Sequence, residues 1–547
     1  MEADPRRADY DVVVVGGGIN GAGIALALAG AGYAVLLLER HDFGSGTTSR
    51  STKLIHGGLR YLEHGEFGLV FESLRERQVL LGMVPHLVRP LTFVLPVRRG
   101  DRRPPWKIRL GLLLYDLLSL RKSLRWHRRL SPAELARLEP ELARDALRGA
   151  FSYQDAQVVY PERLAVENVL AARDQGAEVR NYAEVTALLA GDGRVRGVRF
   201  RQRTPGAAGA EREATARLVV NAAGPWVDRV LARSPAPAAR RIGGTKGSHV
   251  VVDFHGHGPR HAVYAQARSD GRPFFVVPWR RWHLVGTTDT RFDGDPDEAR
   301  ATPEEVDYLL SEANLLFPAA RLGQADVLYT YAGVRPLPYT ESGPEAAITR
   351  RHLIHDHAGE GLEGLLSIVG GKLTTYRSLA AQVLRAAERK LGPAGPRPAA
   401  GLPPDLADVP SAGEVRELAE RYGLERDSLQ MLVDLYGGRF RAVLDLAEAR
   451  PQLRARFCPG NPDIAAELVY AVEREEAQTL ADVLLRRTGV GWSACRGQDC
   501  AEAAAAVLVR HGLWEPDRAG EEVERYRREI LRVLPRPDEA PVSEAAP

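Results

Sequence analysis

Gly16, Gly18 and Gly21 lie in the loop GGGINGAG, directly after the β-branched run Val12–Val15 and directly before a segment of small residues. This is G-x-G-x-x-G at a strand-to-helix turn. Gly16 permits the tight turn, Gly18 lets the backbone approach a pyrophosphate, and Gly21 lets helix and strand pack closely. The helix N-terminus then offers unpaired N–H groups and partial positive charge to phosphates. Glu39 closes a second apolar run, AVLLLER, where a carboxylate can take ribose hydroxyls. An acid at that point, rather than a base, disfavours a 2′-phosphate. The constellation predicts a dinucleotide site.

The surrounding pattern predicts the scaffold. Residues 66–90 carry apolar positions at helical spacing, among them Phe67, Val70, Phe71, Leu74, Val79 and Leu80. Ser131 with Glu134 three residues on has capping-box spacing. A helix is expected from Tyr160 to about Arg173, then strands in GAEVRNYAEVTALLA, RVRGVRFRQR and EATARLVVNAAG, the last running into Asn221–Trp226. SHVVVDF, FFVVPW and WHLVGTTD alternate between turn signals and read as antiparallel strands. GPAGPRPAAGLPPD, Gly392–Asp405, is a Pro/Gly-rich linker. The expected class is α/β: a discontinuous Rossmann-like dinucleotide-binding domain (1–75, 156–240 and 330–392) and an antiparallel-sheet cap (76–155 and 241–329). After the linker (392–405) come an all-helical C-terminal domain (406–535) and a tail (536–547).

Composition narrows the classes. Hydrophobic content of 44% and charged content of 27% are ordinary for a globular chain. Cys458, Cys495 and Cys500 are too few for a disulfide framework, and their spacing is not C-x-x-C, so incidental thiols in a reducing cytosol and no metal are expected. No signal peptide is expected, because the apolar run at Val12 is the first strand of the fold, and no stretch is long enough to span a bilayer. The net charge of +3 is uneven: Arg98–Arg129 holds eleven Lys or Arg against Asp101 and Asp116. Within it, Trp106–Leu130 has an apolar centre, Leu110–Leu120, flanked by Lys107 and Arg109 and by Arg121, Lys122 and Arg125, with Trp106 and Trp126 near the ends. That is the pattern of an interfacial anchor. It equally describes a cap helix with one buried and one solvated face.

The loop GTTSRSTKLIHGGLRYLEHGEF (Gly46–Phe67), with VNAAGPWVD (Val220–Asp228), TKGSHVVV (Thr245–Val252), AGVRPL (Ala332–Leu337) and GGKLTTYR (Gly370–Arg377), closely resembles the FAD-dependent, aerobic, quinone-linked glycerol-3-phosphate dehydrogenases. The motifs follow in order over nearly the whole chain; only the Cys495–Cys500 stretch belongs to none of them. The resemblance implies FAD, oxidation of sn-glycerol 3-phosphate to dihydroxyacetone phosphate by hydride transfer from C2 to flavin N5, and passage of electrons to a membrane quinone. It favours the anchor reading of 106–130, and with it a cytoplasmic protein held peripherally at the inner face of the cell membrane. Oligomeric state, with a homodimer among the options, stays open.

Residue chemistry assigns candidates. A phosphate of nearly two negative charges calls for Arg forks or Lys; Arg60, Arg335 and Lys372 stand in the motif loops, with Arg350 in ITR a further candidate. Gly371, Lys372, Leu373 and Thr374 stand at a predicted helix start, which the resemblance implies faces the flavin. The C2 hydroxyl proton needs an acceptor that a guanidinium does not supply. His56 is the expected base, His249 the competing one, and Tyr61 a holder of hydroxyl or phosphate. Ser51, Thr52 and Lys53 are expected near the flavin ring and pyrophosphate, Val185 near the adenine, and Ala223 and Gly224 along the cofactor. Alternatives are an oxygen-using glycerol-3-phosphate oxidase and a related amine or amino-acid oxidase, though the latter leaves the cations unexplained. More remote is a flavin-containing RNA-binding or modifying protein, for which no stacking module is evident; no nucleic acid is expected.

Overall fold

Val12, Val13, Val14 and Val15 are buried on both faces of their strand, as the centre of a parallel sheet requires. In the computed structural model, which describes residues 8–101, 103–119, 123–204, 209–235, 239–341, 348–395 and 401–534, strand Tyr10–Val15 pairs in parallel with Val35–Leu38 on one side and Glu211–Asn221 on the other. Glu178–Arg180 and Leu365–Val369 extend the parallel sheet at its two ends, and Leu353–Asp356 closes one edge antiparallel. Ala183–Gly191 and Arg194–Gln202 form an antiparallel extension on Glu211–Asn221. The helix Ile19–Ala31 packs against helices Pro161–Asp174 and Tyr376–Leu391.

By contacts the chain divides into two compact units, the first comprising 1–89, 156–244 and 335–527 and the second 90–155, 245–334 and 528–547. Helix Phe67–Met83 goes with the first unit. So do the helices from Ala412 as far as residue 527. The physical reason is a buried ionic network. The Asp42 carboxylate accepts from Arg486 Nε at 2.5 Å and from Arg487 at 2.9 Å. Arg163 donates to both oxygens of Glu475 at 2.7 and 2.8 Å and to Glu167, which Arg439 also reaches at 2.9 Å. Buried charges are tolerated only when paired in this way.

The second unit is built on a mostly antiparallel sheet. Thr245–Val252, Trp282–Gly286, Pro273–Trp279 and Ala262–Gln266 run as antiparallel neighbours, and Ala262–Gln266 pairs in parallel with Val88–Arg98. Helix Pro303–Leu316, started by a capping box between Thr302 and Glu305, lays Val306, Leu309, Leu310 and Ala313 against Val250, Val252, Val276 and Val285. The capping box at Ser131 and Glu134 is also formed. The basic segment 106–130 is not one helix: Pro105–Leu118 is helical, and Arg128–Leu130 is a strand on Leu147–Val158. Leu120, Arg121 and Lys122, residues 396–400 of the linker and the tail 536–547 lie outside the described residues. No helix among the described residues is long and apolar enough to cross a membrane.

Candidate functional site

A cavity of about 270 Å³ opens at the carboxyl ends of Tyr10–Val15, Val35–Leu38 and Glu211–Asn221, lined there by Val15, Leu38 and Ala222. Strand order reverses around Tyr10–Val15, and such a switch point is where open α/β sheets bind ligands. Gly16 and Gly21 stand in the tight turn and close packing that their spacing predicts. Gly16 has φ +107°, and a Cβ on it would stand 2.7 Å from the Ala222 carbonyl oxygen. A Cβ on Gly21 would stand 1.8 Å from the Gly16 carbonyl oxygen, so helix and turn touch only through glycine. A Cβ on Gly18 would meet only Thr48 Oγ1, at 3.3 Å, and Thr48 Oγ1 accepts from Ile19 N at 3.0 Å. Glu39 lines the cavity while accepting from Gly17 N at 2.6 Å and His41 N at 2.9 Å. Its carboxylate keeps lone pairs for further donors.

The lining residues fit FAD. Asn20 Oδ1 and Trp226 Nε1 are buried and have no hydrogen-bond partner among the described residues, and both side chains line the cavity. Buried polar atoms are ordinarily satisfied, and an acceptor and a donor in a dinucleotide cleft match the hydroxyls, phosphate oxygens and ring atoms of FAD. Ser51, Val185, Ala223, Gly224, Gly371, Lys372 and Leu373 line the same space, whereas Thr52, Lys53 and Thr374 do not. Lys53 corrects the expectation most clearly. Its side chain is fully buried, 3.5 Å from Glu162 Oε1 and 5.3 Å from the Trp492 ring centre, because a buried ammonium needs a counter-charge. Thr374 instead fixes the loop that carries His56: its Oγ1 accepts from His56 N at 3.2 Å. Sequence reasoning missed Asn20, Thr48 and Trp226 as individual residues, although all three stand inside motifs already singled out. It also missed Arg40, the last residue of AVLLLER, and Arg229, directly after VNAAGPWVD, both of which line the cavity.

The cations of the motif loops converge on Tyr61. Burial pushes the Tyr61 phenol up, while the guanidiniums of Arg350, Arg335 and, more weakly, Arg60 pull it back without overcoming burial. The hydroxyl is therefore a neutral hydrogen-bond donor amid positive charge. Lys372 Nζ stands 4.6 Å from the Tyr61 ring centre and donates to Ser73 Oγ at 3.0 Å. Gly58, at φ +81°, makes room: a Cβ there would lie 2.1 Å from Tyr61 Cε2. This cluster can hold a dianion in a partly dry setting, and Lys372 belongs to both cluster and cavity wall. His249 lies in the second unit, buried in Thr245–Val252 with its ring stacked on Tyr331 at 5.0 Å.

This fold and cleft define a flavin-dependent oxidoreductase. Residues 11–377 match the family described as FAD dependent oxidoreductase, and 407–519 match the C-terminal domain of alpha-glycerophosphate oxidase. FAD is accordingly its cofactor. The chain is 42% identical to a glycerol-3-phosphate dehydrogenase of Synechocystis sp. over 539 residues, covering 95% of this chain and 96% of that one. To a glycerol-3-phosphate dehydrogenase of Pseudomonas aeruginosa it is 40% identical, covering 89% and 93%. The crystal structure of the glycerol-3-phosphate dehydrogenase from Bacillus halodurans complexed with FAD superimposes with a TM-score of 0.78 at 28% identity, covering 98% and 97%. The chain belongs to the glycerol-3-phosphate dehydrogenase family.

Proposed function

We propose that this chain oxidises the C2 hydroxyl of sn-glycerol 3-phosphate to give dihydroxyacetone phosphate and passes the electrons to a membrane quinone. The observation that carries the reading is Lys372, which lines the cofactor cavity and also stands over Tyr61 within the Arg60, Arg335 and Arg350 cluster. A phosphate held by that cluster places the rest of a three-carbon substrate beside the flavin end of the cleft. FAD, when bound, supplies the hydride acceptor. Tyr61 donates to a substrate oxygen, and His56 takes the hydroxyl proton, its main chain held by Thr374. His249 is the competing base.

Helix Pro105–Leu118 supports a place on the membrane surface. Trp106, Leu110, Leu113 and Leu117 recur at helical spacing and are 68%, 57%, 42% and 46% exposed, beside Lys107 and Arg109. An apolar stripe with basic flanks suits an anionic bilayer interface. Loss of pelleting with anionic vesicles after Trp106→Ser, Leu110→Ser and Leu113→Ser together is the expected result; unchanged pelleting removes the anchor.

Anaerobic titration of the holoenzyme with sn-glycerol 3-phosphate tests the main reading. Flavin bleaching at about one equivalent, reversed by a soluble quinone, is expected. No bleaching refutes the substrate, and reoxidation by air with stoichiometric peroxide but not by quinone refutes the acceptor.

A further inference from the structure

The chain's three cysteines, separate in sequence, meet in the fold. Cys458 follows the turn Pro451–Arg454, Cys495 follows the turn Val490–Trp492, and Cys500 directly precedes helix Ala501–Arg510. Their sulfurs all lie within 4.8 Å of one another, with Cys458 and Cys495 Sγ 3.6 Å apart. Around a tetrahedral zinc ion, with Zn–S of about 2.3 Å, neighbouring sulfurs stand about 3.8 Å apart. The surroundings supply an amide donor aimed at sulfur. Asn461 Nδ2 donates to Cys458 Sγ at 3.0 Å and reaches Cys495 Sγ at 3.5 Å, and Ser493 Oγ, which donates to the Val490 carbonyl at 2.7 Å, lies 3.3 Å from Cys495 Sγ. Cys458 and Cys500 are buried, and Cys495 is half-exposed, which leaves one face of the triangle open.

From this geometry we propose that Cys458, Cys495 and Cys500 bind one zinc ion as thiolates, with a water molecule in the fourth position and Asn461 holding the sulfurs. Soft thiolates select a thiophilic ion over magnesium or calcium, and an amide N–H directed at ligating sulfur is the kind of supporting contact such sites use. A disulfide between Cys458 and Cys495 would leave Cys500 over and give the Asn461 amide a neutral sulfur to face. Binding as thiolates releases the thiol protons to solvent as the dication enters.

The test uses the full-length holoenzyme, loaded with zinc, dialysed against metal-free buffer and measured by elemental mass spectrometry. About one zinc per chain is expected, falling by more than about tenfold in Cys495→Ser and in Cys500→Ser. Flavin content and substrate-driven bleaching stay at the parent level in these variants, which separates failure of the zinc site from failure of the catalytic reading. Should a variant not fold, cobalt exchange into the parent protein decides: intense visible bands of a tetrahedral thiolate–cobalt centre are expected, and their absence overturns the proposal. Zinc retained in the triple Cys→Ser variant, a Cys458–Cys495 disulfide in the isolated protein, or iron with cluster absorbance in place of zinc would each also overturn it.

Discussion

Replacing Arg335 by Gln isolates what the cation cluster contributes. The guanidinium acts on the Tyr61 phenol together with Arg350 and Arg60, yet burial still keeps that phenol up; Tyr61 and the three arginines are all half-buried. At an effective dielectric of about 20, unit charges about 5 Å apart interact by about 3 kcal/mol. A charge-assisted hydrogen bond contributes about 1.5–3 kcal/mol net. Arg335 is half-buried, so a loss of about 2–3 kcal/mol in transition-state binding is expected, about 30- to 150-fold in kcat/KM. The assay is anaerobic stopped-flow reduction of the flavin by glycerol 3-phosphate and by glycerol. Because glycerol lacks the phosphate, its rate is expected to stay within about threefold of the parent. Arg335→Lys keeps the charge but not the fork and recovers part of the loss. An equal fall for both substrates, or a fall for glycerol 3-phosphate of less than about threefold, refutes the reasoning.

Gly21→Ala forces a methyl to 1.8 Å from the Gly16 carbonyl oxygen, so the purified variant is expected to be colourless, whereas Gly68→Ala, with nothing within 4 Å, retains FAD by absorbance. Asp42→Asn removes the buried carboxylate that Arg486 and Arg487 share, leaving Arg486 with Asp482 and Arg487 with Glu475, and is expected to cost about 3 kcal/mol, read from urea unfolding of the holoenzyme. Burial alone would raise the Asp42 carboxyl, but Arg487 and Arg486 hold it below the usual carboxylate range; its contribution is thus present above about pH 3.9 and lost as pH falls through the lowered folded value, so the variant shows a flatter acid limb. His56→Gln is expected to slow flavin reduction about 10²- to 10⁴-fold with substrate affinity little changed, and a larger effect from His249→Gln would transfer the base to that residue.

Legibility followed sequence distance. The glycine turn, Glu39 and the capping box at Ser131 are written in a few consecutive residues, because the physics of a turn or a helix end is local. Arg335, Arg350 and Lys372 stand out as motif residues, but their convergence on Tyr61 is a property of the fold. Lys53 shows the reverse: inside a motif, it is turned by Glu162 away from the cleft. The cysteines look incidental at their spacings, since Cys458 and Cys495 are brought together only by the turns between helices. Trp226 and Asn20 were visible as motif letters, but their unsatisfied atoms required the packing to be known.

The pairing of Asp42 with Arg486 and Arg487 spans more than 440 residues of chain, and it bears on how the protein is made. The loop beside the cofactor cleft acquires its counter-charges only when synthesis is nearly complete. At about 5–20 residues per second, the glycine turn waits tens of seconds in the nascent chain before its neighbouring loop is locked. Flavin capture is therefore expected to be a late, essentially post-translational event. Ribosome-bound chains halted before residue 486 should not retain FAD, and retention by such chains would show that the cleft closes without its distant partner.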